Sequence, residues 1–458
     1  MKVLLLNPPG SRTYIRDYFC SKTTKSNYLF HPIDLLALSG TLASRHEVLV
    51  IDAIAERLSP ARAHARIDAI APDAIVSLVG SVSWPEDRAF LAEESRCGRR
   101  VLAIGDVLQE SSEQRLAEED WLEAALHDFT NQDALACLDG DLSRVLAATI
   151  RHPDGSIEHV RRGQRSGEYR IPRPRHELFP RSGYRFSFAR LDPFATVLTD
   201  YGCPYPCTFC VIGTLGFKTR PVDDVLEEID ELRSRALREV FFVDQTFGLR
   251  RERALKLCAA LAERADLSWT AFTRPDTADE ALLAAMARAG CHTVILGIES
   301  ADDDRLASYR KGYRVEEVRA GVARARRAGL RTVGTFIVGL PEDTEESLAR
   351  TLDLAIDLDL DFMSLNMAVP RFGTPFRARA LELGLAREDD LVMDQGGAEA
   401  FLETAALDRS RMLALKKSMV RRFYARPAWI ARRIGDVRSA GELVRQTREG
   451  LALFARNL

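Results

Sequence analysis

Apolar residues recur along this chain in two alternating rhythms. Short runs rich in Val, Ile and Leu at residues 2–7, 47–52, 74–79 and 100–104 read as strands buried on both faces. Between the first two, residues 33–43 carry Leu35, Leu36, Leu38 and Leu42 at helical spacing. Strands that alternate with helices build a parallel sheet covered on both sides. Such sheets bind ligands beyond the carboxyl ends of their strands, here the loops at 7–10, 80–84 and 105–107.

The rhythm fails over residues 142–187. Pro153-Asp154-Gly155-Ser156 predicts a turn, and Ile171-Pro172-Arg173-Pro174-Arg175 cannot continue a helix. A second, longer series then begins. Strands are expected at 195–198, 239–243, 268–272, 293–298, 332–338 and 361–367. Helices are expected at 223–234, 251–264, 279–289, 315–328 and 344–357. Six βα units in succession predict a partial or complete parallel barrel. The fold class is therefore α/β: a Rossmann-like doubly wound sheet over 1–141, a partly extended connector over 142–190, a (β/α)6 partial barrel over 191–385, and a small helical region over 386–458. That last region is basic, and its Arg422-Phe423-Tyr424-Ala425-Arg426-Pro427 element is expected to cap the barrel or wall its substrate.

Composition changes this picture little. Of 458 residues, 46% are hydrophobic and 29% charged, the balance of an ordinary globular protein. A net charge of −3 gives no reason to expect nucleic acid as a partner, and the Arg421–Arg422 and Arg432–Arg433 pairs read as solvated helix faces. No run approaches the ~18–20 apolar residues of a membrane span. The opening run stops at Asn7-Pro8-Pro9, too short for a signal peptide, so the chain reads as cytoplasmic. In a reducing cytosol eight cysteines do not imply disulfides. Cys20, Cys97, Cys137, Cys258 and Cys291 are scattered and read as small buried residues. Cys203, Cys207 and Cys210 are spaced for metal.

Tyr201-Gly202-Cys203-Pro204-Tyr205-Pro206-Cys207-Thr208-Phe209-Cys210 follows the first strand of the barrel series, where barrel enzymes place chemistry. Three thiolates on four iron atoms leave one iron open to hold a substrate's amine and carboxylate. The alternative is structural zinc, which takes four ligands, and no paired Cys or His lies nearby in sequence.

This Cys-x-x-x-Cys-x-x-Cys loop, with an aromatic residue before its last cysteine, resembles that of the radical S-adenosylmethionine (SAM) superfamily. Phe241-Phe242-Val243-Asp244-Gln245-Thr246-Phe247, Phe272-Thr273-Arg274-Pro275-Asp276, Leu296-Gly297-Ile298-Glu299-Ser300, Gly334–Pro341 and Pro370-Arg371-Phe372-Gly373-Thr374-Pro375 resemble its later strand ends in the family's order. The resemblance implies that Cys203, Cys207 and Cys210 hold a [4Fe–4S] cluster. It also implies that SAM is cleaved there to a 5′-deoxyadenosyl radical, with Phe209, Asp244, Arg274, Glu299, Ser300 and Gly339 around SAM. A carboxylate at Glu299 suits two ribose hydroxyls. Arg274 suits the methionine carboxylate or, alternatively, an ion pair with Asp276 or Asp279. Lys311 is either a site residue or a solvated lysine, and Phe209 shields the cluster. An external electron donor such as flavodoxin or ferredoxin is implied as partner.

A doubly wound domain ahead of this barrel is similar to the cobalamin-binding class of the superfamily, many members of which methylate unactivated carbons. Gly80, Ser81 and Gly105 are the candidate cobalamin contacts. No Asp-x-His-x-x-Gly is present to ligate cobalt from below, Ile104-Gly105-Asp106 replaces the usual glycine pair, and His127-Asp128-Phe129-Thr130 stands where an Arg-Gly-Glu-Gly-Glu element is expected. Tyr14, Arg16, Asp17, Tyr18, Cys20 and Lys22 make the first loop unusually polar and aromatic, as a wall of the cofactor or substrate channel. The function implied is radical C-methylation of a small-molecule or lipid/glycan-type substrate. The alternatives are a radical cyclisation or rearrangement and, more remotely, a non-enzymatic cluster-bearing regulator or scaffold.

Overall fold

Two parallel sheets, one in each half of the chain, carry the architecture. The computed structural model describes residues 1–397, 400–436 and 440–457. The N-terminal sheet runs Glu47–Asp52, Lys2–Asn7, Ala74–Leu78, Arg100–Ile104, Ala124–Leu126, all parallel. Its strands are apolar throughout because helices cover both faces: Leu4 and Leu6 pack to one side, Val3 and Leu5 to the other. Ile33–Ala43 is buried along nearly its whole length. It passes so close to the connector that a Cβ on Gly40 would lie 1.9 Å from the Pro172 carbonyl oxygen.

The sheet does not stop at residue 141. Ala147–Arg151 and Ile157–Arg161 add an antiparallel hairpin to its edge, turned by Pro153-Asp154-Gly155-Ser156. Ala148, Ile150 and Val160 point inward while Arg161 is exposed, the alternation of a half-buried strand. Residues 162–193 then cross to the second sheet, anchored by Tyr169, Ile171, Phe179, Tyr184 and Phe186, all buried.

The second sheet holds six parallel strands in chain order: Phe194–Val197, Glu239–Phe242, Ser268–Thr273, Cys291–Glu299, Arg331–Val338 and Phe362–Met367. Each lies within two residues of its expected position. With the intervening helices it forms a (β/α)6 partial barrel. Val222–Ser234 is representative, with Val225, Ile229 and Leu232 turned inward. Phe241, Ile295 and Val333 on the barrel's inner wall join the apolar cluster of the N-terminal sheet, so one core runs through both halves. Helices Arg409–Tyr424, Pro427–Gly435 and Ala440–Asn457 complete the chain. Tyr424 Oη donates to the Met363 carbonyl (2.7 Å) and Trp429 Nε1 to that of Asp361 (2.7 Å), which closes the last barrel strand. Among the described residues no helix is long and apolar enough to cross a membrane.

Candidate active site

The cysteine loop is gripped at its base. Asp200–Gly202 pairs antiparallel with Phe217–Thr219, and the Cys203 N–H donates to the Gly216 carbonyl at 2.9 Å. Gly202 has φ +79°, and a Cβ there would lie 1.9 Å from the Gly216 oxygen, so only glycine fits. The Gly202 N–H donates to Tyr18 Oη of the N-terminal domain. Farther along, the Thr208 N–H donates to the Tyr309 carbonyl (3.2 Å) and the Phe376 N–H to that of Thr208 (3.0 Å).

Cys203, Cys207 and Cys210 are half-buried and line one chamber. Burial pushes the Cys210 thiol up to about 12, with Cys20, Cys207 and Cys203 adding to the shift; burial likewise raises Cys203. Among the described residues no three His, Cys, Asp or Glu side chains converge on a single ion. Three thiols on one wall match the ligand set of a cluster, in which each binds a different iron.

The chamber measures about 1740 Å³ and lies between the barrel mouth, the first N-terminal loop and the C-terminal helices. Small-molecule pockets are typically about 300–1,000 Å³, so there is room for more than one bound molecule. Phe209, Arg274, Glu299 and Lys311 reach it together. Glu299 has φ +69° at a register shift between its strand and the next. Backbone strain of this kind costs about 1–3 kcal/mol and gathers at functional sites. Its carboxylate accepts from Lys311 Nζ at 3.1 Å. Arg274 makes the expected ion pair: two bonds to Asp276 (2.9 and 2.8 Å) hold it over the Tyr205 ring (3.6 Å), and Nη1 stands 4.0 Å from Cys207 Sγ.

Asp244, Ser300 and Gly339 do not face the chamber. Asp244 is fully buried and accepts from the Thr199 N–H (2.6 Å), Thr199 Oγ1 (2.5 Å) and the Asp200 N–H (3.0 Å). It ties down the segment leading into the cysteine loop, and its neighbours Gln245 and Thr246 reach the chamber instead. Ser300 Oγ accepts from the Asp302 N–H (3.2 Å). Gly339 has φ +91°, packs under Met412 and donates to Asp343 at 2.8 Å.

Gly80, Ser81 and Gly105 also lie away from the chamber, because the chain fills the crevice at the head of its own N-terminal sheet. Sheet order reverses between Lys2–Asn7 and Ala74–Leu78, and into that switch point the first loop inserts Arg16, 2% exposed. Its guanidinium donates to Asn7 Oδ1 (2.9 Å), the Pro8 carbonyl (3.0 Å), Ser83 Oγ (2.9 Å) and Asp87 (2.6 and 3.0 Å). Ser21 continues the plug, with Oγ 3.0 Å from Ser81 Oγ and 2.7 Å from Asp106 Oδ2. A Cβ on Gly80 would meet Ser21 at 2.7 Å, and one on Gly105 the Val79 carbonyl at 1.8 Å. These glycines serve close packing of protein on protein. The N-terminal domain opens on the chamber through its first loop, from Gly10 to Phe30, together with Ala53, Ile54 and Arg57–Ser59.

Residues 197–355 match the model of the radical SAM superfamily. Over these residues the barrel is a radical SAM domain. An uncharacterized methyltransferase of Pyrococcus horikoshii is 29% identical over 388 residues, 82% of each chain. The bacteriochlorophyllide d C-12(1)-methyltransferase of Chlorobaculum tepidum is 28% identical over 210 residues, 42% of this chain and 45% of its own length. Among solved structures, the radical SAM methyltransferase TsrM of Kitasatospora setae, with cobalamin and a [4Fe–4S] cluster bound, superposes with a TM-score of 0.66 at 19% identity. The match covers 83% of this chain and 75% of that one. The cobalamin-dependent radical SAM enzyme OxsB superposes at 0.67 and 15% identity over 99% of this chain and 72% of its own.

Around this radical SAM domain several chamber residues carry no local sequence signal. Lys25, Gln395 and Lys416 are brought to the chamber from both ends of the chain. Cys20, expected as a scattered buried residue, is half-buried on the same wall as the three loop cysteines, its Sγ 3.8 Å from Gln395 Oε1. Arg371, beside the Gly-Thr-Pro turn, bridges Gln395 and Asp106 (3.4 Å), which locks the last barrel loop to the N-terminal plug.

Proposed function

We propose that the protein methylates an unactivated carbon by radical chemistry, with a [4Fe–4S] cluster, SAM and cobalamin sharing the chamber. The observation that carries this reading is the chamber itself. It is larger than one ligand requires, and it joins three half-exposed cysteines, a strained carboxylate and an arginine to the loops of the N-terminal domain. Bound at Cys203, Cys207 and Cys210, the cluster supplies the electron that cleaves SAM; bound against the N-terminal loops, cobalamin supplies the methyl group. The chain's own residues do the rest. Glu299 accepts from the SAM ribose hydroxyls, with Lys311 holding its carboxylate in place. Arg274, fixed by Asp276 and stacked on Tyr205, brings positive charge beside the cluster. Phe209 and the aromatic wall exclude water. The electron comes from a flavodoxin- or ferredoxin-type donor, and the substrate is a small or lipid/glycan-type molecule.

Gly10–Thr13 and Ala53–Ser59 are where a corrin can meet this chain, because the switch-point crevice is taken by Arg16. That plug is a specific observation in favour of a second reading, in which the radical acts without cobalamin in a cyclisation or rearrangement. Anaerobic purification, cluster reconstitution and absorption spectra with and without hydroxocobalamin separate the two. Cobalamin uptake with methyl transfer supports the first; SAM cleavage without cobalamin uptake selects the second. Cys207→Ala removes the cluster absorbance and SAM cleavage under either reading, and retained cleavage would overturn both.

A further inference from the structure

Ten Lys and Arg side chains line the chamber against three Asp and Glu. Four of these cations pair with carboxylates: Arg274 with Asp276, Lys311 with Glu299, Arg371 with Asp106, Arg433 with Asp361. Two others hold neutral oxygens. Lys25 Nζ donates to Ser364 Oγ (3.0 Å) and Asn366 Oδ1 (2.6 Å), both uncharged acceptors on the last barrel strand. Lys416, 7% exposed, donates to the Gly396 carbonyl at 2.9 Å. Neither has an ion pair with a carboxylate among the described residues. Asp394, the nearby carboxylate that attracts both, accepts from the Thr23 N–H (2.9 Å), Thr23 Oγ1 (2.6 Å) and the Gly396 N–H (2.7 Å).

Lys25 is half-buried and Lys416 buried; a cation taken from water onto neutral oxygens is costly, and an anionic ligand would complete it. Burial, together with the charges of Lys416 and Lys22, holds Lys25 well below the usual lysine range; burial brings Lys416 down to about 8. Both would regain full charge beside an anion. Both lysines line the same chamber as Glu299. Elsewhere the wall turns apolar, with Phe30, Phe186, Phe362 and Trp429 inside. At the rim stand Ile430 and Ile434, 43% and 65% exposed.

We propose that the substrate is an amphiphilic anion whose phosphate or carboxylate sits between Lys25 and Lys416 and whose apolar body lies along this aromatic wall toward Ile430 and Ile434. This rests on the radical SAM reading for the position of the reacting carbon, though not for the binding itself. The C-terminal helices supply the apolar half of recognition.

The test is calorimetric titration of the full chain, without cluster or cobalamin, with octyl phosphate, octyl glucoside and inorganic phosphate below micellar concentrations. Octyl phosphate is expected to bind at least about tenfold more tightly than either control, a difference of about 1.4 kcal/mol. Lys25→Met and Lys416→Met each weaken it about tenfold, Lys25→Arg restores it, and melting curves certify folding. Equal binding of octyl glucoside overturns the anion site, and equal binding of inorganic phosphate overturns the apolar half. Equilibrium dialysis of SAM on the reconstituted variants identifies the anion: loss of SAM binding in Lys25→Met would assign the lysines to the SAM carboxylate and overturn the proposal. Failure of methyl transfer leaves these titrations unchanged, so the two readings fail separately.

Discussion

The heads of the two parallel sheets obey the same topological rule and end differently. Beyond the barrel strands, side chains line a chamber rather than fill it: three thiols and the Glu299–Lys311 pair face it, and Glu299 keeps a positive φ to do so. Beyond the N-terminal strands, the chain fills the equivalent crevice with Arg16 and Ser21, and nearly every polar atom there has a protein partner. A topological switch point is a place where a ligand can bind. Whether it does depends on what the adjoining loop inserts, and here the doubly wound domain contributes its outer loops to a shared chamber.

The sharpest way to break that contrast is at Arg16. Arg16→Ala leaves Asp87 buried without its cation and is expected to cost about 3–5 kcal/mol of stability, read by denaturant unfolding. Arg16→Met with Asp87→Leu should recover most of it, since replacing a buried pair by apolar side chains is often neutral. A single-variant loss below about 1 kcal/mol would mean that the crevice is not built around this pair. At the open end the expected effect is smaller and falls on binding. Under the proposed function Glu299→Gln removes charge from the hydrogen bonds to the SAM ribose and should weaken SAM affinity about tenfold or somewhat more, measured by equilibrium dialysis, with melting temperature little changed. An unchanged affinity would take Glu299 out of the SAM site.

The smallest effect concerns Asp17 and Asp34, which bracket Tyr18 at the root of the plug. Asp17 accepts from the Ile33 N–H (2.9 Å) and Asp34 from the Tyr18 N–H (2.7 Å). Burial raises both, Asp17 from 3.8 to about 6. A carboxyl that holds its proton more tightly when folded stabilises at low pH, and that contribution fades as pH rises from about 4 to about 6. Asp17→Asn should flatten this decline by about 2 °C or less in melting temperature. A decline identical to that of the parent would assign the titration elsewhere.

Much of this molecule was legible before folding was considered. Six apolar runs with intervening helical stripes gave the barrel, and Cys203, Cys207, Cys210, Phe209, Arg274 and Glu299 fell on one chamber. The misreadings have local causes. Residues 147–161 lost the parallel rhythm and read as a connector, although a Pro-Asp-Gly turn between alternating residues is also the mark of a hairpin. Asp244 closes an apolar strand, which suggested a site carboxylate. The chain turns there, and the side chain points down to the backbone of Thr199 and Asp200. Gly80 and Gly105 suggested room for a cofactor, yet glycine permits close approach by any atoms, including the protein's own. Lys25 and Lys416 lie at opposite ends of the sequence, and no spacing rule relates them.

The hydrogen bond from Gly202 to Tyr18 makes the first domain part of the frame of the cysteine loop. Tyr18 is itself fixed through its N–H by Asp34 of the first helix. Residues of the first domain thus act as a mould for the entry of the loop, whose three thiols share one wall.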